Sequence, residues 1–476
     1  MYNSERLEFN QVCREFAPVD PRLTGEMEHA RLEFPFQWIV LDDDPTGVQT
    51  VSHVSVYTDW SLESIREGFA EDRNIFYILT NSRGMTEAET VKIHQEIAEK
   101  VLQVSRETQK EFRIISRGDS TLRGHYPVET ETLKETLEKN SGEHFDGEII
   151  CPFFLEGNRY TCGNVHYIKM DEVLVPVAET EFAEDATFGY QNSHLGRWIE
   201  EKTKGRYPAD QQIYISIQEL RTGNIGQICR HIMEAEDFKK VIVNALCYED
   251  LYIFALALYQ AEQSGKHFML RTASALPMIL GNIKRASLLD GEALVDPDNP
   301  NGGLIIVGSH VQKTTMQLEQ LLTLREVVPI AFRSSFVLEK EAFEQECARV
   351  QREIEAHITC GDTVAVYTER TVLLPDSDNP EDALMLSMKI SDALWNFVYH
   401  LKVRPRFIIA KGGITSSEVG VKGLSVKRAE VAGQILPGIP VWKTGKESRF
   451  PGLSYIIFPG NVGEISSLKE AVKKLI

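Results

Sequence analysis

The sequence predicts an α/β protein of two domains, each with a mostly parallel sheet, and a cleft between the domains. Short apolar runs that are typical of buried strands alternate with helical patterns along most of the chain. The alternation is interrupted by a turn-rich, charged stretch at 290–303 and then restarts. A length of 476 residues is sufficient for two or three domains.

The first half of the chain carries the first set of alternating patterns. Strand-like runs fall at 38–41, 53–58, 74–80, 112–116, 148–154 and 239–245. Helical patterns fall at 61–69, 86–108, 128–140, 193–203, 223–236 and 249–264. We therefore predict a domain over 37–289. Residues 1–36 are polar and form an N-terminal arm, which packs either on the outside or on a partner subunit of a homo-oligomer.

The second half repeats the alternation after the linker predicted at 290–303. Strand-like runs fall at 304–307, 327–332, 363–367, 406–410 and 454–458. Helical patterns fall at 314–324, 339–357, 381–401 and 465–475. These patterns predict a second α/β domain over 304–476.

Composition and charge exclude several classes of function. A net charge of -19 argues against nucleic acid as a general partner, because phosphate backbones are bound by basic surfaces. No apolar segment approaches the roughly 18 residues that a membrane-spanning helix needs. The seven cysteines are scattered and form no Cys-x-x-Cys pair, which is typical of reduced thiols in a cytoplasmic protein.

An acidic turn follows the first predicted strand. The strand-like run 38–41 ends in Asp42-Asp43-Asp44-Pro45-Thr46-Gly47. In open α/β sheets, ligands bind in the crevice outside the carboxyl ends of the strands. Because adjacent carboxylates repel one another, the site must offset them with a metal, a cationic side chain or shared protons. Asp43, Asp44 and Thr46 are therefore candidate site residues.

Two further strand ends in the first half combine arginines with hydroxyls and a carboxylate. The block at 116–124 reads Ser-Arg-Gly-Asp-Ser-Thr-Leu-Arg-Gly and contributes Asp119, Ser120 and Arg123. The segment at 80–84 contributes Arg83. Arginine forks bind carboxylates and phosphates in two-pronged contacts, so these segments indicate a small anionic ligand. The next strand end, 152–166, adds a further arginine and a histidine.

Glycine turns after strands mark the second half. They follow the strands at 304–307, 406–410 and 454–458, and expose backbone N–H groups of the kind that cradle phosphates. The candidate nucleotide-binding residues are Ser309, Lys411, Gly412, Gly413, Thr415, Gly460 and Asn461. The chain contains neither a Walker A sequence nor a Gly-x-Gly-x-x-Gly fingerprint.

Together these blocks resemble the four-carbon acid sugar kinases. The resemblance runs from about residue 37 to the C-terminus and is carried by Asp43-Asp44-x-Thr46-Gly47, Asp119-Ser120-Thr121-Leu122-Arg123-Gly124, Gly308-Ser309, Gly412-Gly413 and Gly460-Asn461. It implies an N-terminal sugar-acid domain, a C-terminal ATP domain and phosphoryl transfer to a hydroxyl of threonate, erythronate or 3-oxo-tetronate. It also implies ATP contacts from Ser309, Gly412, Gly413 and Gly460. The chain departs from the family pattern at Arg117-Gly118, where Lys-Ile is common, and at Ile414, where Gly-Gly-Glu is usual.

These patterns predict an ATP-dependent kinase that acts on a small sugar acid. Arg83 and Arg123 would hold the substrate carboxylate, and Mg²⁺ would bridge the ATP phosphates. Asp44 or Asp119 would accept the proton of the attacking hydroxyl, and the sequence leaves that choice open. Asp43, Thr46 and Ser120 would contact the substrate.

Two alternatives remain at this stage. Asp42-x-Asp44-x-Thr46 also spells the Asp-x-Asp-x-Thr pattern of haloacid-dehalogenase-like phosphatases, in which the first aspartate is a nucleophile. The chain would also serve as a non-catalytic sugar-acid sensor if it bound the acid without turning over ATP. The first alternative predicts phosphate release from sugar phosphates in the absence of ATP.

Overall fold

A computed structural model describes residues 5–19, 34–283, 288–370, 380–460 and 462–476, with the side chains of 380–384 excluded. The protein is an α/β protein, as predicted. Its chain divides into two compact units, which we describe separately. The N-terminal unit comprises Met1–Gly47 and Asp59–Arg285, and the C-terminal unit comprises Val48–Thr58 and Ala286–Ile476.

The N-terminal unit alternates strands and helices. Its strands are β1 (Leu7–Glu8), β2 (Gln37–Asp42), β4 (Ile75–Leu79), β5 (Phe112–Arg117), β6 (Gly147–Cys151), β7 (Arg159–Cys162), β8 (Val165–Met170), β9 (Val173–Pro176), β10 (Ile213–Ile215), β11 (Lys239–Val243) and β12 (Phe268–Thr272), while β3 (Ser55–Tyr57) belongs to the C-terminal unit. Its helices are α1 (Phe9–Glu15), α2 (Leu62–Ala70), α3 (Glu87–Thr108), α4 (Val128–Ser141), α5 (Leu195–Lys202), α6 (Ile217–Arg221), α7 (Ile225–Met233), α8 (Tyr248–Gln263) and α9 (Ala275–Leu280).

The main sheet of this unit is parallel, with strand order β10-β11-β6-β12-β5-β2-β4. Every residue of β2, β4, β5, β6 and β12 is buried, as expected for strands covered by helices on both faces. Helix α3 begins at a capping box, in which the Thr86 hydroxyl accepts from the backbone N–H of Glu89 and the Glu89 carboxylate accepts from that of Thr86.

A small antiparallel sheet with order β1-β9-β8-β7 completes the N-terminal unit. The described part of the predicted N-terminal arm contributes β1, which pairs with β9, and helix α1. The sequence pattern predicted no strand over β7, β8 or β9. Strand β7 follows β6 along the chain, so the small sheet begins shortly after the carboxyl end of that parallel strand.

The C-terminal unit contains β13 (Leu304–Val307), β14 (Val327–Phe332), β15 (Thr363–Thr368), β16 (Ile408–Lys411), β17 (Arg428–Leu436), β18 (Ile439–Thr444) and β19 (Ser454–Phe458). Its helices are α10 (Gln312–Leu321), α11 (Lys340–Thr359), α12 (Pro380–Tyr399), α13 (Gly413–Glu418) and α14 (Ser467–Lys473). The strand order is β3-β17-β18-β19-β16-β13-β15-β14, with antiparallel pairing from β3 to β19 and parallel pairing from β19 to β14.

Two segments depart from the domain boundaries that the sequence predicts. Val48–Thr58 leaves the N-terminal unit and supplies β3, which pairs with β17 of the C-terminal unit. The stretch 290–303, predicted as a linker, lies within the C-terminal unit, where Leu294 packs in the core. The polar, turn-rich composition of this stretch concealed the one buried leucine that anchors it.

Candidate active site

Four neighbouring strands of the N-terminal unit end in register at one edge of the sheet. Asp42 at the end of β2 lies beside Leu79 of β4 and Arg117 of β5, and Arg117 lies beside Thr272 of β12. The loops that follow these strands therefore leave the sheet together. As predicted from their positions after apolar runs, the acidic turn and the arginine-containing segments meet at this edge.

The acidic turn is held by Arg83. This side chain makes a two-pronged contact with Asp43, in which Nη2 donates to Oδ1 at 2.7 Å and Nε donates to Oδ2 at 3.1 Å. Its Nη1 also donates to Asp44 Oδ2 at 3.3 Å. The other oxygen of Asp44 accepts from the backbone N–H of Thr46 at 2.8 Å. The arginine that was predicted to bind substrate is therefore paired with two of the three adjacent carboxylates.

The third carboxylate, Asp42, is paired with Arg117. Arg117 Nη1 lies 3.0 Å from Asp42 Oδ1 and 3.4 Å from Asp43 Oδ1, and all three side chains are at most 3% exposed. Burial raises the pKa of Asp42 to about 7. The neighbouring charges of Asp43 and Asp44 also raise this pKa, whereas the charge of Arg117 lowers it. Because Asp42 is buried and held by Arg117, its carboxylate is poorly placed to act as the nucleophile of a phosphatase.

Asp44 differs from its neighbours in both exposure and acidity. Its side chain is 15% exposed, against 2% for Asp43. Burial alone would raise the pKa of Asp44, but the charge of Arg83 and the hydrogen bonds from Thr46 lower it below its usual value. For Asp43, burial prevails over the charges of Arg83 and Arg117 and raises the pKa.

Asp119 forms a second carboxylate site in the same cluster. Arg123 Nε donates to Asp119 Oδ2 at 2.7 Å, and the Thr121 hydroxyl donates to the same oxygen. Burial opposes ionisation of Asp119, but the positive charges of Arg123 and Arg83 hold its pKa well below its usual range. Asp119 is therefore ionised at neutral pH, and its side chain is 12% exposed.

Two side chains, those of His166 and Tyr190, hold the backbone of the 119–123 loop in place. His166 Nε2 lies 2.8 Å from the carbonyl oxygen of Ser120, and the Tyr190 hydroxyl donates to the carbonyl of Thr121 at 2.7 Å. Burial lowers the pKa of His166 to about 4, so this ring is neutral and positions the loop. Ser120, predicted to contact substrate, is itself buried.

Arg271 and Glu129 join the two arginine-containing loops, and the sequence did not single them out. Arg271 Nη1 lies 3.4 Å from Glu129 Oε2, and its Nη2 donates to the backbone oxygen of Arg123 at 3.3 Å. The Ser82 hydroxyl donates to Glu129 Oε1 at 2.7 Å. A Cβ at Gly118 would lie 1.5 Å from Arg271 Nη1, so only glycine allows Arg271 to occupy this position. Arg271 is the penultimate residue of β12, which was not predicted as a strand.

In the C-terminal unit, the three predicted glycine turns also meet at one sheet edge. Val307 at the end of β13 lies beside Lys411 of β16, and Lys411 lies beside Phe458 of β19. A cavity of about 320 Å³ opens at this edge, near the lower end of the roughly 300–1,000 Å³ that is common for ligand pockets. It is lined by Gly308, Ser309, His310, Ser334, Leu386, Ser387, Ile390, Ser391, Leu394, Gly412, Gly413, Ile414 and Thr415.

Lys411 and Thr314 hold the third of these turns. The buried Lys411 amine donates to the carbonyl oxygens of Pro459 and Gly460, the latter at 3.0 Å. Thr314 Oγ1 also donates to the Gly460 carbonyl at 3.0 Å. Burial, together with the charge of Lys313, lowers the pKa of Lys411 to about 7. Lys411 therefore positions the Gly460 turn, while Asn461 lies outside the described residues.

The described residues include no group of three or more His, Cys, Asp or Glu side chains arranged to hold a metal ion. All seven cysteines are free thiols. No helix in the described ranges combines the length and apolar character that crossing a membrane requires.

Comparison with protein-family models identifies both halves of the chain. A model described as a sugar-binding N-terminal domain matches residues 38–280, and a model described as a nucleotide-binding C-terminal domain matches residues 304–468. The first match places the arginine–carboxylate cluster in a sugar-binding domain. The second places the glycine turns and their cavity in a nucleotide-binding domain. No curated protein sequence matches the chain significantly.

Solved structures share this fold at low sequence identity. The Haemophilus influenzae protein HI1011, assigned to the DUF1537 family, is 16% identical, with 92% of this chain and 100% of that chain covered and a TM-score of 0.57. A Salmonella typhimurium LT2 protein, named provisionally as a tRNA synthase, is 16% identical, with 92% and 98% covered and a TM-score of 0.65.

A Bordetella bronchiseptica DUF1537 domain, crystallised as a domain-swapped dimer with bound citrate, is 17% identical with 93% and 98% covered, but its TM-score of 0.38 is too low to inform on the fold. The family assignment therefore depends on the family models, and the first of these covers just over half of the 476 residues. The protein belongs to the family whose members carry this sugar-binding N-terminal domain, here joined to a nucleotide-binding C-terminal domain.

Proposed function

We propose that the protein is an ATP-dependent kinase that phosphorylates a hydroxyl of a small sugar acid, such as threonate, erythronate or 3-oxo-tetronate. The observation that carries the proposal is the pairing, in one chain, of a sugar-binding domain and a nucleotide-binding domain, with a buried cluster of arginines and aspartates in the former. Phosphoryl transfer requires positioning and charge neutralisation more than covalent chemistry, and this cluster suits both tasks.

Asp119 and Asp44 are the candidate bases for the attacking hydroxyl. Both carboxylates remain partly exposed, whereas Asp42 and Asp43 are at most 2% exposed. The lowered pKa of each keeps it ionised and able to accept a proton at neutral pH. In a loose transition state the hydroxyl proton moves late, so a weakly basic carboxylate in hydrogen-bond reach is sufficient.

The cavity of the C-terminal unit is the proposed nucleotide site. The apolar side chains of Leu386, Ile390 and Leu394 supply a surface that suits a nucleobase. Ser309, Gly412, Gly413, Thr415 and Gly460 would surround the phosphates, with Lys411 holding the last turn in place. Mg²⁺ would be carried by the phosphates of ATP, where it would neutralise their charge.

The test is ATP consumption by the full chain with a panel of four-carbon acids, together with direct measurement of ATP binding. Asp119→Asn removes the acceptor charge with little change in volume, so turnover should fall by at least about 100-fold, in line with the loss of general acid–base catalysis. ATP affinity should stay within about twofold of wild type, since Asp119 lies in the N-terminal unit.

Asp72→Asn is the matched control, because Asp72 is an exposed aspartate of the same unit. Asp44→Asn separates the two candidate bases. Wild-type rates in Asp119→Asn would remove Asp119 from the mechanism. The absence of acid-dependent ATP consumption by the wild-type chain across the panel would refute the kinase proposal.

A further inference from the structure

Arg159 is an arginine beside the catalytic cluster that no assignment above includes. It is the first residue of β7, the strand that opens the small antiparallel sheet. Its guanidinium interacts electrostatically with Asp119 and Arg123, so it lies within the field of the proposed base and of its partner. As a residue it is half-buried, and its Nε is buried.

Arg159 differs from its neighbours in what it binds. Arg83 is paired with Asp43 and Asp44, and Arg123 is paired with Asp119. Across the described ranges, Arg159 forms no ion pair with a carboxylate within 4 Å; its Nη1 donates to the backbone oxygen of Gly157 and its Nε, which is buried, has no hydrogen-bond partner. Leaving a buried donor unpaired costs free energy, and an added acceptor would recover it.

Phe182 fixes Arg159 close to Arg123. The guanidinium carbon of Arg123 lies 5.0 Å from the centroid of the Phe182 ring, and that of Arg159 lies 5.8 Å from the same centroid. Aromatic faces hold guanidinium groups by cation–π attraction. Burial and the nearby charge of Arg123 lower the pKa of Arg159, although Asp119 acts in the opposite direction. Two like charges are thus held near one ring, with only one of them paired to a carboxylate at hydrogen-bond distance.

We propose that Arg159 is the guanidinium that binds the anionic head group of the substrate in the N-terminal unit. For the sugar acid proposed above, on which this inference rests, that group is the carboxylate. A guanidinium without a protein carboxylate can bind an incoming one without first breaking an ion pair, whereas Arg83 and Arg123 would each have to give up or share theirs. Arg123 would add a second, partly shared positive charge.

Binding of defined probes to the full chain tests the assignment. The probes are threonate and erythronate, which carry a carboxylate, erythrose 4-phosphate, which carries a phosphate, and erythritol, which is neutral. Arg159→Gln should weaken binding of the two acids by about 10- to 100-fold, as expected for loss of a charge-assisted contact. Arg159→Lys, which keeps the charge but not the fork, should recover part of that loss.

Arg197→Gln is the matched control, because Arg197 is an exposed arginine of the same unit. In turnover assays, Arg159→Gln should raise KM for the acid with a smaller change in kcat, and it should leave the KM for ATP unchanged. Wild-type affinity for the acids in Arg159→Gln would overturn the proposal, as would a larger loss for erythrose 4-phosphate than for the acids.

The outcomes separate this inference from the kinase proposal. If the acids bind through Arg159 but no ATP is consumed, the inference stands and the kinase proposal fails. If acid-dependent ATP consumption keeps its wild-type KM in Arg159→Gln, the kinase proposal stands and the inference fails. If none of the anionic probes binds the wild-type chain, the inference is refuted directly.

Discussion

Gly412 adopts a backbone conformation that other residues avoid, at the wall of the proposed nucleotide cavity. Its φ is 119° and its ψ is 147°, and a Cβ added there would lie 2.9 Å from Ser309 Cβ and 3.4 Å from Thr415 Oγ1. Its N–H donates to the Phe458 carbonyl at 2.9 Å, which ties the turn to β19. Gly412→Ala is therefore expected to strain the turn and to push two hydroxyl-bearing residues of the cavity out of place.

The size of the effect follows from these values. Holding a residue other than glycine in this region of φ and ψ costs roughly 1–3 kcal/mol. A contact of 2.9 Å with a Cβ atom cannot be relieved by rotating a side chain, so the backbone near Ser309 must also shift. In a unit of this size, 1 kcal/mol corresponds to roughly 2–4 °C in melting temperature. We therefore expect the C-terminal unit to melt about 2–12 °C lower.

Calorimetry and ATP titration of the full chain measure both consequences. ATP affinity should fall by at least about tenfold, since a loss of about 1 kcal/mol at each of two contacts already exceeds the roughly 1.4 kcal/mol that a tenfold change requires. The control is Gly452→Ala, whose φ of +71° is also strained for alanine but whose Cβ would meet no atom within 4 Å. It should cost about 1–2 kcal/mol of stability and leave ATP affinity unchanged. Wild-type melting and affinity in Gly412→Ala would refute the reasoning.

Two further predictions concern the N-terminal unit. Because the folded state holds a proton on Asp42 up to about pH 7, while the unfolded chain releases it near pH 4, Asp42 makes the free energy of unfolding fall as pH rises between these values and level off above pH 7. Urea unfolding from pH 5 to pH 8 should therefore show a smaller decrease in Asp42→Asn than in wild type; parallel curves would contradict this. Gly118→Ala should displace Arg271 and lower acid-dependent turnover by at least about tenfold with ATP affinity intact, whereas Gly226→Ala, which meets nothing closer than 3.8 Å, should leave both unchanged.

Most of the parallel strands could be predicted because apolar runs mark them in the sequence. β13, β14 and β19 begin and end where the sequence predicts, and β2, β4 and β5 agree to within one or two residues. A strand that is buried on both faces needs apolar side chains at nearly every position. Such a strand can be recognised from the sequence without knowing which strands lie beside it. The same apolar runs also indicated the candidate site, because its polar residues directly follow the ends of these runs.

Strand β12, in which only three apolar residues precede a polar pair, was not predicted. β12 reads Phe-Met-Leu-Arg-Thr, and all five residues are buried. Arg271 breaks the apolar run, yet it is buried because Glu129 and the Arg123 carbonyl receive its guanidinium. These partners come from distant parts of the chain. Missing β12 therefore also meant missing Arg271, the side chain that joins the two arginine-containing loops.

The partners of the charged residues could not be predicted from the sequence either. They change which arginines we expect to bind the substrate. The sequence required that something offset three adjacent carboxylates, and the structure supplies Arg83 and Arg117 for this purpose. Breaking such a buried pair exposes each charge to the full cost of burial, which runs to several kcal/mol. A substrate carboxylate therefore cannot readily displace Asp43 from Arg83. The arginines at the edge of the cluster should therefore bind the anion, because the protein's own aspartates do not fully neutralise their positive charge.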